Sequence, residues 1–141
     1  MKKEIAEQIS NLLNEENQLV VNYTANKILE SKENYIYEEE NGVVKGFLEC
    51  KKVQWYQTEV CHLTVKKDFR GKGLSTLLIN KALDHSVTNL NARIIQCTIR
   101  EGNEASEGAF NKAEFAKVAS FYYPISGNNV GVWQKVVSLR A

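Results

Sequence analysis

The sequence predicts an α/β fold of the α+β kind, in which helices flank a mixed, mostly antiparallel sheet within a single domain spanning residues 1–141. The chain has 141 residues, close to the commonest domain size. An Asn41-Gly42 pair separates two strand-like segments and is the strongest short-range signal of a hairpin. Further along, a strand–helix–strand crossover interrupts a series of hairpin-like strands, and such a crossover joins parallel strands.

Composition excludes several classes of protein. Hydrophobic residues make up 43% of the chain and charged residues 25%, and the formal net charge is +1, so wholesale nucleic-acid binding is not expected. The N-terminal segment lacks the apolar core of a signal peptide, and no apolar segment is long enough to span a bilayer. Three distant cysteines suit reduced thiols in a cytoplasm. No metal is expected, because neighbouring Cys61 and His62 should point to opposite faces of a strand.

The first third of the chain carries signals for two helices followed by a hairpin. Apolar residues at helical spacing predict an amphipathic helix over 3–13, which the segment Asn-Glu-Glu-Asn-Gln at 14–18 should end. A second helix is predicted around 22–31. A hairpin follows, with one strand ending near Glu39 and the next beginning at Val43.

The remaining elements are predicted from the same periodicities. A strand over 58–65 should alternate, with Glu59 on the same face as Cys61, Leu63 and Val65.

After this strand, the pattern predicts a helix over 74–87, a strand over 92–99, a short helix over 104–113 and an antiparallel pair between 115 and 139. The last strand carries Trp133 and is expected at an exposed edge. Exposed edges can pair between chains, so a homodimer is an alternative to a monomer.

The segment Val-Lys-Lys-Asp-Phe-Arg-Gly-Lys-Gly-Leu-Ser-Thr-Leu-Leu, at 65–78, is open to several interpretations. A dinucleotide fingerprint would need glycine at Thr76, and the P-loop pattern is absent. An ordinary basic turn and a nucleic-acid contact remain alternatives. A phosphate site is the third, because Gly71 and Gly73 allow close approach of a ligand to the backbone before a helix N-terminus. The surrounding cations are Lys66, Lys67, Arg70 and Lys72.

This segment resembles motif A of the GNAT superfamily of N-acetyltransferases, an R/Q-x-x-G-x-G/A pattern that follows a strand. Arg70 and Gly73 match the pattern, and Ser75 stands where glycine or alanine is usual. A second family motif, N-x-x-A/S-x-x-x-Y-x-K-x-G-F, is similar to the segment that begins at Asn103. The further matches to this motif are Ser106, Lys112 and Phe115, while Phe110 replaces its tyrosine and Glu114 its glycine.

The resemblance implies a fold, a cosubstrate and a set of ligand-binding residues. Two central strands should splay apart, a bulge should interrupt the strand at 58–65, and the family's usual first strand has no obvious counterpart. Acetyl-CoA is the implied cosubstrate, with its pantetheine arm in the gap and its pyrophosphate on the basic loop. The implied binding residues are Leu63, Thr64, Val65, Arg70, Gly71, Lys72, Gly73, Leu74, Ser75, Asn103, Phe110 and Lys112.

The implied reaction is direct acetyl transfer to the amine of a small molecule or peptide. Glu59 is the candidate general base, acting through water, because alkylamines are mostly protonated at pH 7. Phe110 cannot protonate a leaving thiolate as tyrosine can, so Tyr122 and Tyr123 are the alternative donors, beside solvent. A module that binds acyl-CoA or CoA without turnover is the second hypothesis.

Overall fold

The computed structural model describes residues 1–16 and 22–137. The order of elements is the predicted one: two helices, three strands, then helix, strand, helix and two strands. Their bounds are α1 Lys3–Glu16, α2 Ala25–Glu30, β1 Tyr35–Glu40, β2 Val43–Gln54, β3 Gln57–Val65, α3 Leu74–Thr88, β4 Ile94–Arg100, α4 Glu104–Lys112, β5 Ala116–Tyr123 and β6 Asn128–Val136.

The predicted boundaries differ from the structure mainly at the N-terminal helices. The first helix does not end at residue 13, because α1 continues to Glu16, and residues 17 and 18 of the predicted break lie outside the described residues. The second is shorter than predicted, since Thr24 caps α2 by accepting a hydrogen bond from the Lys27 amide. Residues 138 and 139 of the predicted last strand also lie outside the described part. None of the described helices combines the length and apolar character needed to cross a membrane.

The six strands form one mixed sheet in the order β1-β2-β3-β4-β6-β5. Among the described residues, β3 and β4 are the parallel pair, joined through α3, and the other pairs are antiparallel. This confirms the predicted fold class. The prediction that the strand of Trp133 forms an edge is wrong, because β6 lies between β4 and β5. The edge strands are β1 and β5, and all eight residues of β5 are exposed.

Helices cover both faces of the sheet. On the α3 face, apolar side chains of α3 and α4 pack onto strands β2, β3 and β4, with Leu48, Val60 and Ile95 among them. On the α1 face, α1 and α2 pack onto β1 and β2, where Phe47 is fully buried. The two faces therefore have separate apolar cores, one over each side of β2.

A bulge in β3 decides which side chains of that strand face which core. Between the pairs Phe47–Thr64 and Glu49–Cys61, β3 has one residue more than β2. His62 is the extra residue, and its backbone lies in the left-handed region, at φ 59°. The predicted alternation is wrong beyond Cys61, because Leu63 packs against the α3-face core.

The same bulge corrects the prediction for His62. Its ring contacts that of Tyr23 at 5.2 Å, beside the α1-face core, so it shares a face with Cys61. Strand pairing also ends here: β3 pairs with β4 only as far as Val60–Cys97, although both strands continue. The central strands are therefore splayed, as the resemblance implies.

The C-terminus of α4 is closed by a Schellman motif. The Phe115 amide donates to the Phe110 carbonyl, and the Glu114 amide donates to the carbonyl of Asn111, each at 3.0 Å. The rings of Phe110 and Phe115 meet edge to face at 5.0 Å, which supplies the apolar contact of the motif. Glu114 occupies the left-handed position at φ 69°, where glycine is the favoured residue.

We expect Glu114→Gly to stabilise the protein by about 1 kcal/mol, because glycine removes the strain of a left-handed side chain. The ion pair to Lys135 that is lost spans 3.7 Å, and the Glu114 side chain is 86% exposed, so it contributes little. Thermal unfolding should shift upward by about 3 °C. Glu114→Ala, which removes the charge but keeps the strain, is the control; an equal gain in both variants would contradict the assignment to backbone strain.

Candidate functional site

A cavity of about 630 Å³ lies where β3 and β4 diverge. Its walls come from the end of β3, the loop before α3, the first turn of α3, the end of β4 and one side of α4. Ten of the residues predicted to bind a cosubstrate line it: Leu63, Thr64, Val65, Arg70, Gly71, Gly73, Leu74, Ser75, Asn103 and Lys112. The cavity thus runs from the basic glycine loop to the gap between the splayed strands.

The glycine loop, residues 66–73, has the backbone of an anion site. Gly71 and Gly73 lie in the left-handed region at φ 78° and 77°, and a Cβ built on either would meet no protein atom within 4 Å. Gly73 is the N-cap of α3, and no side chain caps the helix there. The first amides of a 15-residue helix therefore face the cavity as donors, with the positive end of its dipole.

Arg70 and Lys72 take different places around this loop. Arg70 lines the cavity, and its Nε donates to the Val65 carbonyl at 3.0 Å, which ties the loop to the end of β3. Lys72 does not line the cavity; its ammonium lies 5.8 Å from the ring centroid of Phe69. The cation that the sequence reasoning missed is Arg100, at the end of β4, which lines the cavity opposite the loop.

The α4 wall is made of small residues. Ala105, Gly108 and Ala109 line the cavity, and their helical spacing gives a side of α4 without bulk. This i, i+3, i+4 pattern was readable in the sequence. Asn103 is the N-cap, and its side-chain oxygen accepts from the Ser106 amide at 3.3 Å. The amide nitrogen of Asn103 is then the group it can direct toward a ligand.

Phe110, predicted to contact the cosubstrate, does not line the cavity. It is 3% exposed and packs in the α3-face core. The reason is its place in the Schellman motif, where contact with Phe115 turns the ring onto the sheet.

The predicted catalytic residues are not brought together. Tyr122 and Tyr123 lie at the exposed end of β5, separated from β3 by β4 and β6, and neither lines the cavity. Glu59 lies on the α1 face of β3, just before the point where pairing with β4 stops.

The carboxylate of Glu59 is held by an amide relay, a chain of two side-chain amide hydrogen bonds that crosses three strands. Gln96 on β4 donates from Nε2 to Glu59 Oε1 at 3.2 Å, and Gln134 on β6 donates from Nε2 to Gln96 Oε1 at 2.7 Å. The register aligns the three side chains, since Glu59 pairs with Gln96 and Gln96 pairs with Gln134. The carboxylate is partly buried and fixed in direction, with one oxygen engaged by an amide donor.

This combination defines a class of site. A glycine loop before an uncapped helix N-terminus suits a pyrophosphate, and the long gap beyond it suits an extended arm with free hydrogen-bonding groups. The open space above Gly71 and Gly73 leaves room for phosphate oxygens, so the residues present fit coenzyme A. The chain belongs to the GNAT family of acetyltransferases, since the model of that family matches residues 5–115.

Solved structures agree on the fold. Ard1 from Thermoplasma volcanium is 20% identical with a TM-score of 0.82, covering 98% of this chain and 95% of its own. YncA from Salmonella typhimurium, a putative acetyltransferase solved with its cofactor acetyl-CoA, is 18% identical with a TM-score of 0.83, covering 100% and 93%. A spermidine N-acetyltransferase, SpeG from Vibrio cholerae, is 16% identical with a TM-score of 0.77, covering 97% and 92%. No curated protein matches the chain by sequence.

We expect Gly73→Ala to weaken CoA binding by about tenfold or more, because the added Cβ strains the N-cap and enters the space above the α3 amides. Calorimetric titration with CoA measures the loss. Gly42→Ala is the matched control: Gly42 has nearly the same φ, 80°, and equally open surroundings, but lies in the β1–β2 turn. Equal loss of affinity in both variants would show that general destabilisation, and not the cavity, is responsible.

Proposed function

We propose that the protein is an N-acetyltransferase that transfers an acetyl group from acetyl-CoA to a primary amine by direct attack. The observation that carries the proposal is the continuity of the cavity, which links an anion site at α3 to the gap beside β3. Family membership supports acetyl transfer, and the glycine loop supports CoA as the acetyl carrier.

The backbone of the glycine loop would hold the pyrophosphate, with Arg70 and Arg100 adding positive charge. Main-chain groups of Leu63, Thr64 and Val65, in the part of β3 that lies beyond its pairing with β4, would bond the pantetheine arm as an added strand does. Asn103 would contact the same arm from the opposite wall. When bound, acetyl-CoA supplies an acetyl group activated as a thioester.

Glu59 is suited to remove the proton that an alkylammonium carries at pH 7. Its carboxylate is oriented by Gln96 and lies at the end of the paired part of β3, beside the gap. The amine nitrogen would then bond to the acetyl carbon while the carbon–sulfur bond breaks, and the nitrogen would lose its second proton to solvent as the amide forms. The ammonium proton passes through water to Glu59 and on to solvent, and the thiolate leaves and is protonated from solvent.

Solvent is the proton source that this geometry favours for the thiolate. Phe110 has no proton to give and lies in the core, and Tyr122 and Tyr123 lie on the exposed edge strand. Without a donor the loss is modest, because a thiol with a pKa of roughly 8.5 is a tolerable leaving group.

The burial of Phe110 also favours a second candidate function, a module that binds CoA or acyl-CoA without turnover. Release of thiol from acetyl-CoA that depends on added amine distinguishes the two. Amine-dependent release supports the enzyme, and acetyl-CoA binding without release across a panel of amines supports the module.

We expect Glu59→Gln to lower kcat with n-propylamine by about 100-fold at pH 7, within the range of general-base catalysis. The matched substrate is 2,2,2-trifluoroethylamine, which is similar in size but mostly uncharged at pH 7 and needs no base to expose its lone pair. Its kcat should fall far less. Thiol release measures both rates, and an equal loss with both amines would contradict the role of Glu59 as a base.

A further inference from the structure

A second carboxylate, Glu49, lies on the same face of the sheet as Glu59. Cys50 and Val60 pack in the α3-face core, so their neighbours Glu49 and Glu59 point to the α1 face. Strand register pairs Glu49 with Tyr35 on β1 and with Cys61 on β3. Glu59 lies two residues before Cys61 on β3, so Glu49 and Glu59 are diagonal neighbours on this face. Diagonal neighbours of this kind have Cα atoms about 7–8 Å apart.

Glu49 is largely buried, and its carboxylate has no hydrogen-bond partner in the described part of the chain. The residue is 7% exposed, and its side chain makes neither a hydrogen bond nor an ion pair within residues 1–16 and 22–137. Burial raises the pKa of this carboxyl above its usual value, with Lys51 partly opposing the shift. Burying a carboxylate without a hydrogen bond is unfavourable. The Glu49 oxygens are not fully enclosed, since Trp133 Nε1 is the fully buried side-chain polar atom that lacks a partner among the described residues. A cationic ligand could therefore reach this carboxylate. Glu59, by contrast, accepts a hydrogen bond from Gln96.

Among the titratable groups around Glu49, acidic groups outnumber basic ones. Burial lowers the pKa of His62 to about 4, so its ring is neutral, and burial raises the pKa of Cys61 to about 12, so its thiol is neutral. Burial also raises the pKa of Tyr35, which keeps its hydroxyl uncharged. The remaining groups are the carboxyls of Glu49 and Glu59 and the ammonium of Lys51, which lies opposite Glu59 in the register. The one acidic group in excess suits a single cation.

The position of this face suits the approach of an acceptor. The cavity is bounded by α3, α4 and Leu63 on the α3 face, so a nucleophile that attacks through the gap must come from the α1 face. Glu49 pairs with Cys61, the residue directly before the bulge at which the gap opens. An ammonium that enters there meets both carboxylates.

We propose that Glu49 is the acceptor-recognition residue of this protein, binding the ammonium form of a primary alkylamine before Glu59 takes its proton. This rests on the proposed function, because it presumes transfer to an amine. It names the class of acceptor: a basic aliphatic amine that is charged when it binds, in preference to an aryl or other weakly basic amine.

The test is the effect of Glu49→Gln on KM for two amines. For n-propylamine, KM should rise by about tenfold or more with kcat changed little, because a charge-assisted hydrogen bond is lost. For 2,2,2-trifluoroethylamine, and for calorimetric binding of acetyl-CoA, little change is expected. Glu39→Gln, an exposed carboxylate on β1, is the matched control. An unchanged KM for n-propylamine in Glu49→Gln would overturn the inference.

A direct measurement separates this inference from the proposed function. Calorimetric titration of n-propylamine into the CoA complex reports amine binding whether or not turnover occurs. Binding that Glu49→Gln abolishes supports the inference even if thiol release is absent, which would count against the enzyme alone. Absence of amine binding in the unmodified protein overturns it.

Thermal unfolding distinguishes recognition from a structural role. Glu49→Gln should unfold at the same or a higher temperature, since it removes an uncompensated buried charge. A fall in unfolding temperature would show that Glu49 serves the fold, and would overturn the inference.

Discussion

The bulge at His62 is the constraint on which the site depends. One extra residue, in the left-handed region at φ 59°, shifts the second half of β3 relative to β2. Because of the bulge, the side chain of Leu63 lies on the α3 face, whereas Cys61 lies beside Glu49 on the α1 face. Pairing between β3 and β4 ends at the same point. A strand without the bulge would continue its ladder, and the cavity would be closed by backbone pairing.

Groups of opposite electrostatic character lie on the two faces of the sheet near this bulge. On one side, the glycine loop and the α3 amides supply positive potential without a buried side-chain charge. On the other, Glu59 and Glu49 supply negative charge, one held by an amide relay and one unpaired. In the proposed reaction, a cosubstrate with phosphates and an acceptor with an ammonium would therefore be drawn to different faces and would meet where the strands part.

Much of this arrangement could be predicted from the sequence, because local signals determined it. The Asn41-Gly42 turn, the helix after the glycine loop and the order of elements depend on turn chemistry and periodicity within short segments. The glycine loop and Asn103, which line the cavity, could be identified because they belong to motifs defined by spacing along the chain.

What could not be predicted depended on contacts between distant segments. Alternation along β3 does not reveal the bulge, because a bulge depends on register with β2, and the interior position of Trp133 depends on strand order, which is not a local property. The position of Glu49 beside Cys61 likewise depends on cross-strand pairing. The sequence does not reveal the burial of Phe110, because the Schellman motif that buries it uses Glu114 in the left-handed position, where glutamate is rare.

We propose that the glycine loop binds the pyrophosphate of acetyl-CoA at one end of the cavity. Parallel calorimetric titrations with acetyl-CoA and with acetylpantetheine, which has the same arm and thioester but no pyrophosphate, measure this contribution. We expect micromolar binding of acetyl-CoA and binding of acetylpantetheine weaker by about 100-fold or more. Equal affinities, or no binding of acetyl-CoA at about 1 mM, would contradict it.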